Sequence, residues 1–182
     1  MVVPGVDELT QGVPERLVVQ NAVSKVRAVV QNVEYGEGGV PARGVVLSTP
    51  PSPPPGRVVI GCDTDVVLDG QVLGKPADAG EAREYLDRMS GRAHTVMSCL
   101  VVWEDGEERS GIEKTTVVFK ELSEAEKERY VRFGEWEGRS GGYAIQTLGS
   151  TLVERLEGSV SNVVGLPVGL LADLAPQLFA RS

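Results

Sequence analysis

Four charged residues at turns or beside predicted helices carry the clearest chemical signal in this sequence. Glu8 and Asp63 are carboxylates, and Lys25 and Lys75 are amines. Two carboxylates that face one cavity can hold Mg²⁺ or Mn²⁺ through oxygen, and nearby lysines offset the charge of phosphate groups. Asp63 directly follows an apolar run at residues 58–62 that predicts a buried strand, and open α/β sheets bind ligands beyond such strand ends. These residues therefore predict an acidic, metal-binding cleft.

Each of the four residues also has a purely structural interpretation. An aspartate at a strand end commonly forms a turn, and Lys75 in Gly74-Lys75-Pro76 fits a solvated turn. Lys25 lies beside the apolar stripe of a predicted helix, so its stem can cover the core while its amine stays in water. Glu8 can simply lead that helix. From the residues alone both interpretations stay open, and no reaction is specified.

Several common catalytic signatures are absent from the sequence. It contains no G-x-x-x-x-G-K-[ST] motif and no G-x-G-x-x-G between a strand and a helix. The single histidine, His94, makes a Ser-His-Asp or Cys-His site improbable, and we expect it to pack or cap at a strand start. Cys62 and Cys99 lie in apolar runs without metal-ligand spacing, which predicts free thiols in a reducing compartment.

Composition predicts a single folded domain over residues 1–182. The chain is 41% hydrophobic and 24% charged, close to the average of globular proteins. Its net charge of -8 argues against nucleic acid as a partner, because such binding relies on basic side chains. The sequence has neither a membrane-length apolar run nor the features of a signal peptide, so we expect a cytoplasmic protein without a membrane partner.

The hydrophobic pattern predicts an α/β (α+β) domain with a mixed, partly antiparallel twisted sheet and flanking helices. Helices are predicted by periodicity and capping signals at residues 14–31, 78–90 and 123–133, and a C-terminal helix is predicted to be interrupted by Pro176.

Two hairpins and one long loop complete the predicted organisation. Asp69-Gly70 between apolar runs predicts a tight hairpin turn. The β-branched runs at residues 95–103 and 114–120 predict a second hairpin across a turn at residues 104–111. Residues 35–57 are rich in Gly and Pro and predict a surface loop insertion with extended polyproline character.

Five motifs, in this order, resemble those of the Maf family of nucleoside triphosphate pyrophosphatases, and together they span nearly the whole chain. They are Gly61-Cys62-Asp63-Thr64, Leu73-Gly74-Lys75-Pro76, Ser90-Gly91-Arg92-Ala93-His94-Thr95-Val96, Gly141-Gly142-Tyr143-Ala144-Ile145-Gln146 and Ser161-Asn162-Val163-Val164-Gly165-Leu166-Pro167.

The resemblance implies a two-lobed architecture like that of Maf and ITPase proteins, with a cleft. It implies a cytoplasmic nucleoside triphosphate diphosphatase that needs Mg²⁺ or Mn²⁺, releases the monophosphate and diphosphate, and cleans the nucleotide pool. Asp63 then accepts a proton from the attacking water and, with Glu8, binds the metal. Lys25 and Lys75 match phosphate-facing lysines. Thr64 and Gln146 match positions that read the base in the branch favouring dTTP and UTP.

The resemblance fails at the N-terminus. Family members open with a strand and an Ala-Ser-x-Ser-Pro-Arg-Arg loop that leads into a helix, and nothing here matches them. We therefore expect the first strand, the Ser/Arg phosphate loop and the first helix to be missing. The alternative is a truncated, non-catalytic protein that binds nucleotide or acts with a cell-division partner. A homodimer is a further open expectation.

Overall fold

A computed structural model describes residues 7–34 and 57–180 of the 182-residue chain. The strand end predicted at the N-terminus falls largely on residues 1–6, which lie outside the described residues. The same holds for the predicted loop insertion, except for Arg57. Within the described ranges, no helix combines the length and apolarity needed to cross a membrane.

The described strands form one five-stranded sheet in the order β2-β1-β3-β4-β5. Their bounds are Val58–Leu68 (β1), Gln71–Leu73 (β2), Ala93–Glu104 (β3), Glu107–Phe119 (β4) and Val153–Glu157 (β5). Every pairing among them is antiparallel, whereas the sequence predicted a mixed sheet. The difference arises because two hairpins supply two of the pairings and β1 runs antiparallel to β3 as well.

Both hairpins turn on an Asp-Gly pair. Asp69 and Gly70 have φ angles of 53° and 76°, and Asp105 and Gly106 have φ angles of 49° and 92°. Two successive positive φ values define the tight turn that matches the twist of paired strands. The first hairpin is thus confirmed. The turn of the second was predicted too long, since the ladder continues to the pair Glu104 and Glu107.

Within the part of the chain that the structure describes, five α-helices flank the sheet, and capping residues mark the starts of two of them as predicted. The helices are α1 (Pro14–Glu34), α2 (Ala79–Met89), α3 (Glu124–Phe133), α4 (Val160–Val164) and α5 (Val168–Leu174). Asp78 caps α2 by accepting from Glu81 N, and Ser123 forms a reciprocal capping box with Glu126 at α3. The C-terminal helix is interrupted as predicted, because a short 3₁₀ turn beginning at Pro176 follows α5.

The core lies on both faces of the sheet. One face of β1 and β3 packs against α1 through a cluster of buried residues: Val18, Ala22, Val26, Val30, Met97, Cys99 and Val101. The opposite face packs against α2 and α3 at one end and against α5 at the other. The sheet is therefore a rigid layer whose two faces are fixed by different helices.

Asp63 lies in the middle of a strand and not at its end, which corrects the sequence prediction. The strand β1 continues for five residues beyond it, and Asp63 pairs with Cys99 of β3. The polar run Asp63-Thr64-Asp65 does not end the strand because its backbone keeps pairing with β3 as far as Val67.

Candidate active site

A cavity of about 540 Å³ opens beside the central part of β1. Since β2 pairs only with residues 66–68 of β1, the preceding Asp63, Thr64 and Asp65 all line the cavity. The segment before α1, the turn after β2, residues 138–146 and the end of α4 also form walls, and α1, α2 and β3 contribute single side chains. Pockets of this size take small organic ligands such as a nucleotide.

Three of the predicted residues meet at one end of the cavity around the amine of Lys25. Lys25 Nζ lies 2.7 Å from Glu8 Oε1 and also bonds Asp63 Oδ1. Lys75 Nζ lies 2.5 Å from the other oxygen of Glu8. The structure therefore brings Glu8, Lys25, Asp63 and Lys75 into one continuous network, as a shared cleft requires.

The network fixes the charges of its members. Burial disfavours the Lys25 cation, but hydrogen bonds to Asp63 and Glu8 and their negative charges outweigh it and raise the pKa of Lys25. Burial likewise works against the Glu8 carboxylate, but the hydrogen bonds from Lys25 and Lys75 hold the pKa of Glu8 below its ordinary value. Glu8 and Lys25 are thus both charged at neutral pH.

Local packing explains how Glu8 and Lys25 reach Asp63. Gly61 lets α1 lie close to β1, because a Cβ there would stand 2.3 Å from Val26 Cγ2. Asn21 on α1 ties down the preceding segment by accepting from Leu9 N at 2.8 Å and donating to Leu9 O at 3.1 Å. The helix thereby positions its own Lys25 and also the neighbouring Glu8.

Asp65 is a cavity residue that the sequence analysis missed. It lies two residues after Asp63 and therefore projects from the same face of β1. Burial and the negative charge of Asp63 raise the pKa of Asp65 to about 6. Its signal was the i, i+2 spacing of two aspartates, which is informative only once both are known to lie in one strand.

Thr64 and Gln146 lie at the cavity as the resemblance implies, but apart from the lysine network. Thr64 projects from the opposite face of β1 from Asp63, and its hydroxyl lies 2.8 Å from that of Ser98 on β3. Gln146 is exposed and lines the cavity wall together with Val164 and Gly165. The lysine network thus occupies one end of the cavity, and Thr64 projects from the other face of β1.

Residues 139–146 are held against the sheet by several hydrogen bonds. Ser140 Oγ donates to Leu73 O at 2.8 Å, and Val66 N donates to Ser140 Oγ at 3.1 Å. Gly141 has a φ of 70°, and a Cβ there would stand 2.6 Å from Val66. The segment can therefore lie directly on β1, which places Gln146 at the cavity.

His94 anchors the same segment and is not placed as a base. Its Nε2 lies 2.7 Å from Tyr143 Oη, and burial lowers the pKa of His94 to about 4. The imidazole is also packed against Phe119. This agrees with the expectation that His94 packs near a strand start. The two cysteines are free, and burial raises the pKa of Cys62 to about 11, which removes it as a thiolate nucleophile.

Among residues 7–34 and 57–180, no group of three or more His, Cys, Asp and Glu has the geometry to hold a metal ion by itself. Two carboxylates, Glu8 and Asp63, nevertheless share one cation, the Lys25 amine. Oxygen ligands of this kind suit hard divalent ions, and Mg²⁺ commonly uses one or two carboxylates and takes its other ligands from water and phosphate.

Comparison with known proteins identifies relatives that share most of this chain. A dTTP/UTP pyrophosphatase of Deinococcus radiodurans is 44% identical over 120 residues, 66% of this chain and 62% of that protein. One of Pelotomaculum thermopropionicum is 46% identical over 119 residues, 64% of this chain and 62% of the relative. A third, from Pyrococcus abyssi, is 41% identical over 66% of this chain and 64% of its own length.

The matched segment thus spans less than two thirds of the length of these curated relatives. The model of the family described as "Maf-like protein" matches residues 1–178. This range is nearly the entire chain and includes every described residue that lines the cavity. The chain belongs to the Maf-like protein family.

Proposed function

We propose that this protein is a metal-dependent nucleoside triphosphate pyrophosphatase acting on dTTP, UTP or related modified nucleotides. The observation that carries the proposal is the network of Glu8, Lys25, Asp63 and Lys75 at one end of a nucleotide-sized cavity. The relatives described above are dTTP/UTP pyrophosphatases, which supports this substrate class. A role in cleaning the nucleotide pool, in a cytoplasmic and two-lobed protein, belongs to the same proposal.

The donor set fits a divalent cation in this role. Glu8 and Asp63 would hold Mg²⁺ or Mn²⁺, and phosphate oxygens and water would supply the other ligands. In the structure, Lys25 supplies the positive charge between these carboxylates. When substrate enters, the carboxylates can bind the metal cation in place of Lys25, and Lys25 can bind the phosphates. The bound metal would neutralise charge that develops on the phosphates.

The residues of the chain then have separate roles in hydrolysis. Asp63 orients a water molecule for in-line attack on the α-phosphorus and accepts its proton. The new bond joins water oxygen to the α-phosphorus, and the bond to the α–β bridging oxygen breaks, releasing the monophosphate and pyrophosphate. Lys25 and Lys75 stabilise the charge that builds on the transferred and leaving groups. Thr64 and Gln146 bind the uncharged base at the other end.

The first experiment measures pyrophosphate release by the 182-residue chain from dTTP, UTP, CTP and 7-methyl-GTP with Mg²⁺ or Mn²⁺. We expect turnover on dTTP or UTP, and Asp63→Asn should reduce it by at least about 10²-fold, as loss of a general base does. Asp173→Asn, an exposed change on α5, is the matched control and should retain the wild-type rate.

Two outcomes would contradict the proposal. Wild-type turnover by Asp63→Asn would remove Asp63 from the mechanism. A folded wild-type chain that binds these nucleotides without releasing pyrophosphate would support the alternative, a non-catalytic nucleotide-binding protein.

A further inference from the structure

One buried hydroxyl, that of Ser98, lies directly behind Thr64 and links it to a backbone carbonyl in a short hydrogen-bonded chain. Thr64 Oγ1 is 2.8 Å from Ser98 Oγ, and Ser98 Oγ donates to the backbone carbonyl of Asn162 at 3.2 Å. Ser98 has no exposed surface, and Asn162 in the middle of α4 has none either. The chain therefore has one open end, at Thr64.

The number of available protons fixes which group donates in each of these hydrogen bonds. The carbonyl of Asn162 can only accept, so the single proton of Ser98 goes to it. Ser98 Oγ then acts as acceptor, and Thr64 must donate its proton inward. The sulfur of Cys62, which interacts with both hydroxyls, is not among the residues that line the cavity. Toward the cavity, Thr64 Oγ1 is left with lone pairs alone.

Gly165 lies beside Thr64 Oγ1 and places no side chain there. Gly165 has a φ of 111°, and a Cβ there would come within 3.7 Å of Thr64 Oγ1. Gly165 ends α4 in the left-handed conformation. A ligand atom can therefore approach the hydroxyl of Thr64 where another residue would put a side chain.

The positions of the cavity lysines indicate which half of a nucleotide would contact Thr64. The cavity lysines, Lys25 and Lys75, lie with Glu8 at the end reached by the α1 face of β1, so the phosphates belong there. Thr64 projects from the opposite face, next to Gly165, and the cavity lining also includes the apolar Val163 and Val164 and the amide of Gln146. This setting suits a flat, uncharged base.

Resting on the proposed function, we propose that Ser98 is a specificity-determining residue that makes Thr64 an obligatory hydrogen-bond acceptor for the base. Uracil and thymine present an N3–H donor, which this acceptor satisfies. Cytosine presents an unprotonated N3, so two lone pairs would face each other. A site built for a donor rejects a ligand that lacks it, since its own polar group is left unpaired.

The test compares binding of uridine and cytidine 5′-[α,β-imido]triphosphate with Mg²⁺ by calorimetry, alongside pyrophosphate release from UTP and CTP. We expect the wild type to prefer the uridine analogue by about 10²-fold or more. Ser98→Ala frees the Thr64 proton to point into the cavity. It should lower this preference at least about tenfold, mainly by improving the cytidine analogue.

The matched control is Thr115→Val. Thr115 is also fully buried and bonds Asn162 Nδ2 at 2.9 Å, but it has no hydrogen bond to Thr64. A merely structural loss should weaken both analogues alike, as expected for Thr115→Val. Thr64→Val removes the acceptor itself at a partly exposed position, so the ratio of the affinities for the uridine and cytidine analogues should fall close to one. This variant tests the inference even if Ser98→Ala does not fold.

Equal binding of both analogues by the wild type, or an unchanged preference in folded Ser98→Ala, would overturn the inference. The two proposals fail differently. Selective binding without pyrophosphate release would refute the enzyme and support the role of Ser98. Equal turnover of UTP and CTP would support the enzyme and refute that role.

Discussion

At the scale of single residues, Lys25 has two roles that compete. It neutralises Glu8 and Asp63 in the nucleotide-free protein, and in the proposed mechanism it must release them to bind phosphate. Lys25→Met keeps the length of the side chain and removes the charge. We expect kcat/KM on UTP to fall by about 10²-fold or more, because a preorganised charge facing the phosphates is lost.

The same change should strengthen binding of Mn²⁺ without nucleotide by at least about tenfold, since a competing positive charge no longer lies between the two carboxylates. Calorimetric titration with Mn²⁺ and steady-state kinetics check the two effects. Lys75→Met is the comparison, because Lys75 is half exposed and, among the described residues, forms an ion pair with Glu8 only, so both effects should be smaller. Weaker Mn²⁺ binding by Lys25→Met would contradict this view of the cluster.

Asp65 is a residue whose charge costs stability. Its pKa is raised to about 6 in the folded chain by burial and by Asp63, from an ordinary value of 3.8. Between these values the native protein holds a proton that the unfolded chain has lost, so this group destabilises the fold increasingly as pH rises from 3.8 to about 6, and by a constant amount at higher pH. At pH 8, Asp65→Asn should raise the free energy of unfolding by about 1–2 kcal/mol, after allowance for partial solvent screening.

Urea denaturation of wild type and Asp65→Asn at pH 8 and pH 4 measures this effect. The gain should vanish near pH 4, where Asp65 is protonated in the folded wild type and the two side chains are alike in charge. Asp173→Asn controls for the loss of one negative charge from the whole chain. A gain that is equal at both pH values would show that the environment of Asp65 is not the cause.

At the scale of elements, the contact between α1 and β1 aligns the lysine with its carboxylates. Gly61→Ala would place a Cβ 2.3 Å from Val26 Cγ2 and 3.3 Å from Ala22 O. The valine side chain is stiff in a helix and the carbonyl belongs to the backbone, so α1 must move away from the sheet. We expect a loss of about 1–3 kcal/mol in unfolding free energy and a fall in turnover, as Lys25 shifts from Asp63.

Thermal melts and pyrophosphate release check both effects of Gly61→Ala. Gly169→Ala on α5 is the matched control, since no atom lies within 4 Å of its added Cβ. That variant should keep its activity and gain up to about 1 kcal/mol from helix propensity. A Gly61→Ala protein with wild-type stability would mean that α1 does not need this close approach.

Local signals predicted α2, α3 and the existence of both hairpins, because the capping residues Asp78 and Ser123 and the Asp-Gly turns act on their immediate neighbours, whereas α4 was not predicted. The position of Asp63 within β1 was not predictable in this way. It depends on pairing with β3, more than 30 residues further along the chain, which keeps a polar run in the strand.

The same distinction applies to the candidate site. Glu8, Lys25, Asp63 and Lys75 were predicted from their chemistry and their resemblance to known motifs, and their meeting in space required the fold. Ser98 gave no signal, because a serine in an apolar strand acquires its role only from the atoms on either side of it.

At the scale of the whole molecule, charge balance should make nucleotide binding depend on metal. The chain carries a net charge of -8, and the described residues that line the cavity include four carboxylates and three cations. The carboxylates are Glu8, Asp63, Asp65 and Glu81, and the cations are Lys25, Lys75 and Arg139. A triphosphate brings further negative charge, so its entry without a divalent cation is electrostatically unfavourable.

Thermal melts with uridine 5′-[α,β-imido]triphosphate test this dependence. With Mg²⁺ and the analogue at about a hundred times its Kd, binding should stabilise the fold by about 2.7 kcal/mol and raise the Tm by roughly 5–10 °C. With EDTA instead of Mg²⁺ we expect most of this shift to disappear, while Mg²⁺ alone should produce little change. An equal shift in EDTA would mean that the lysines suffice to neutralise the phosphates, and the metal would then lose its place in substrate binding.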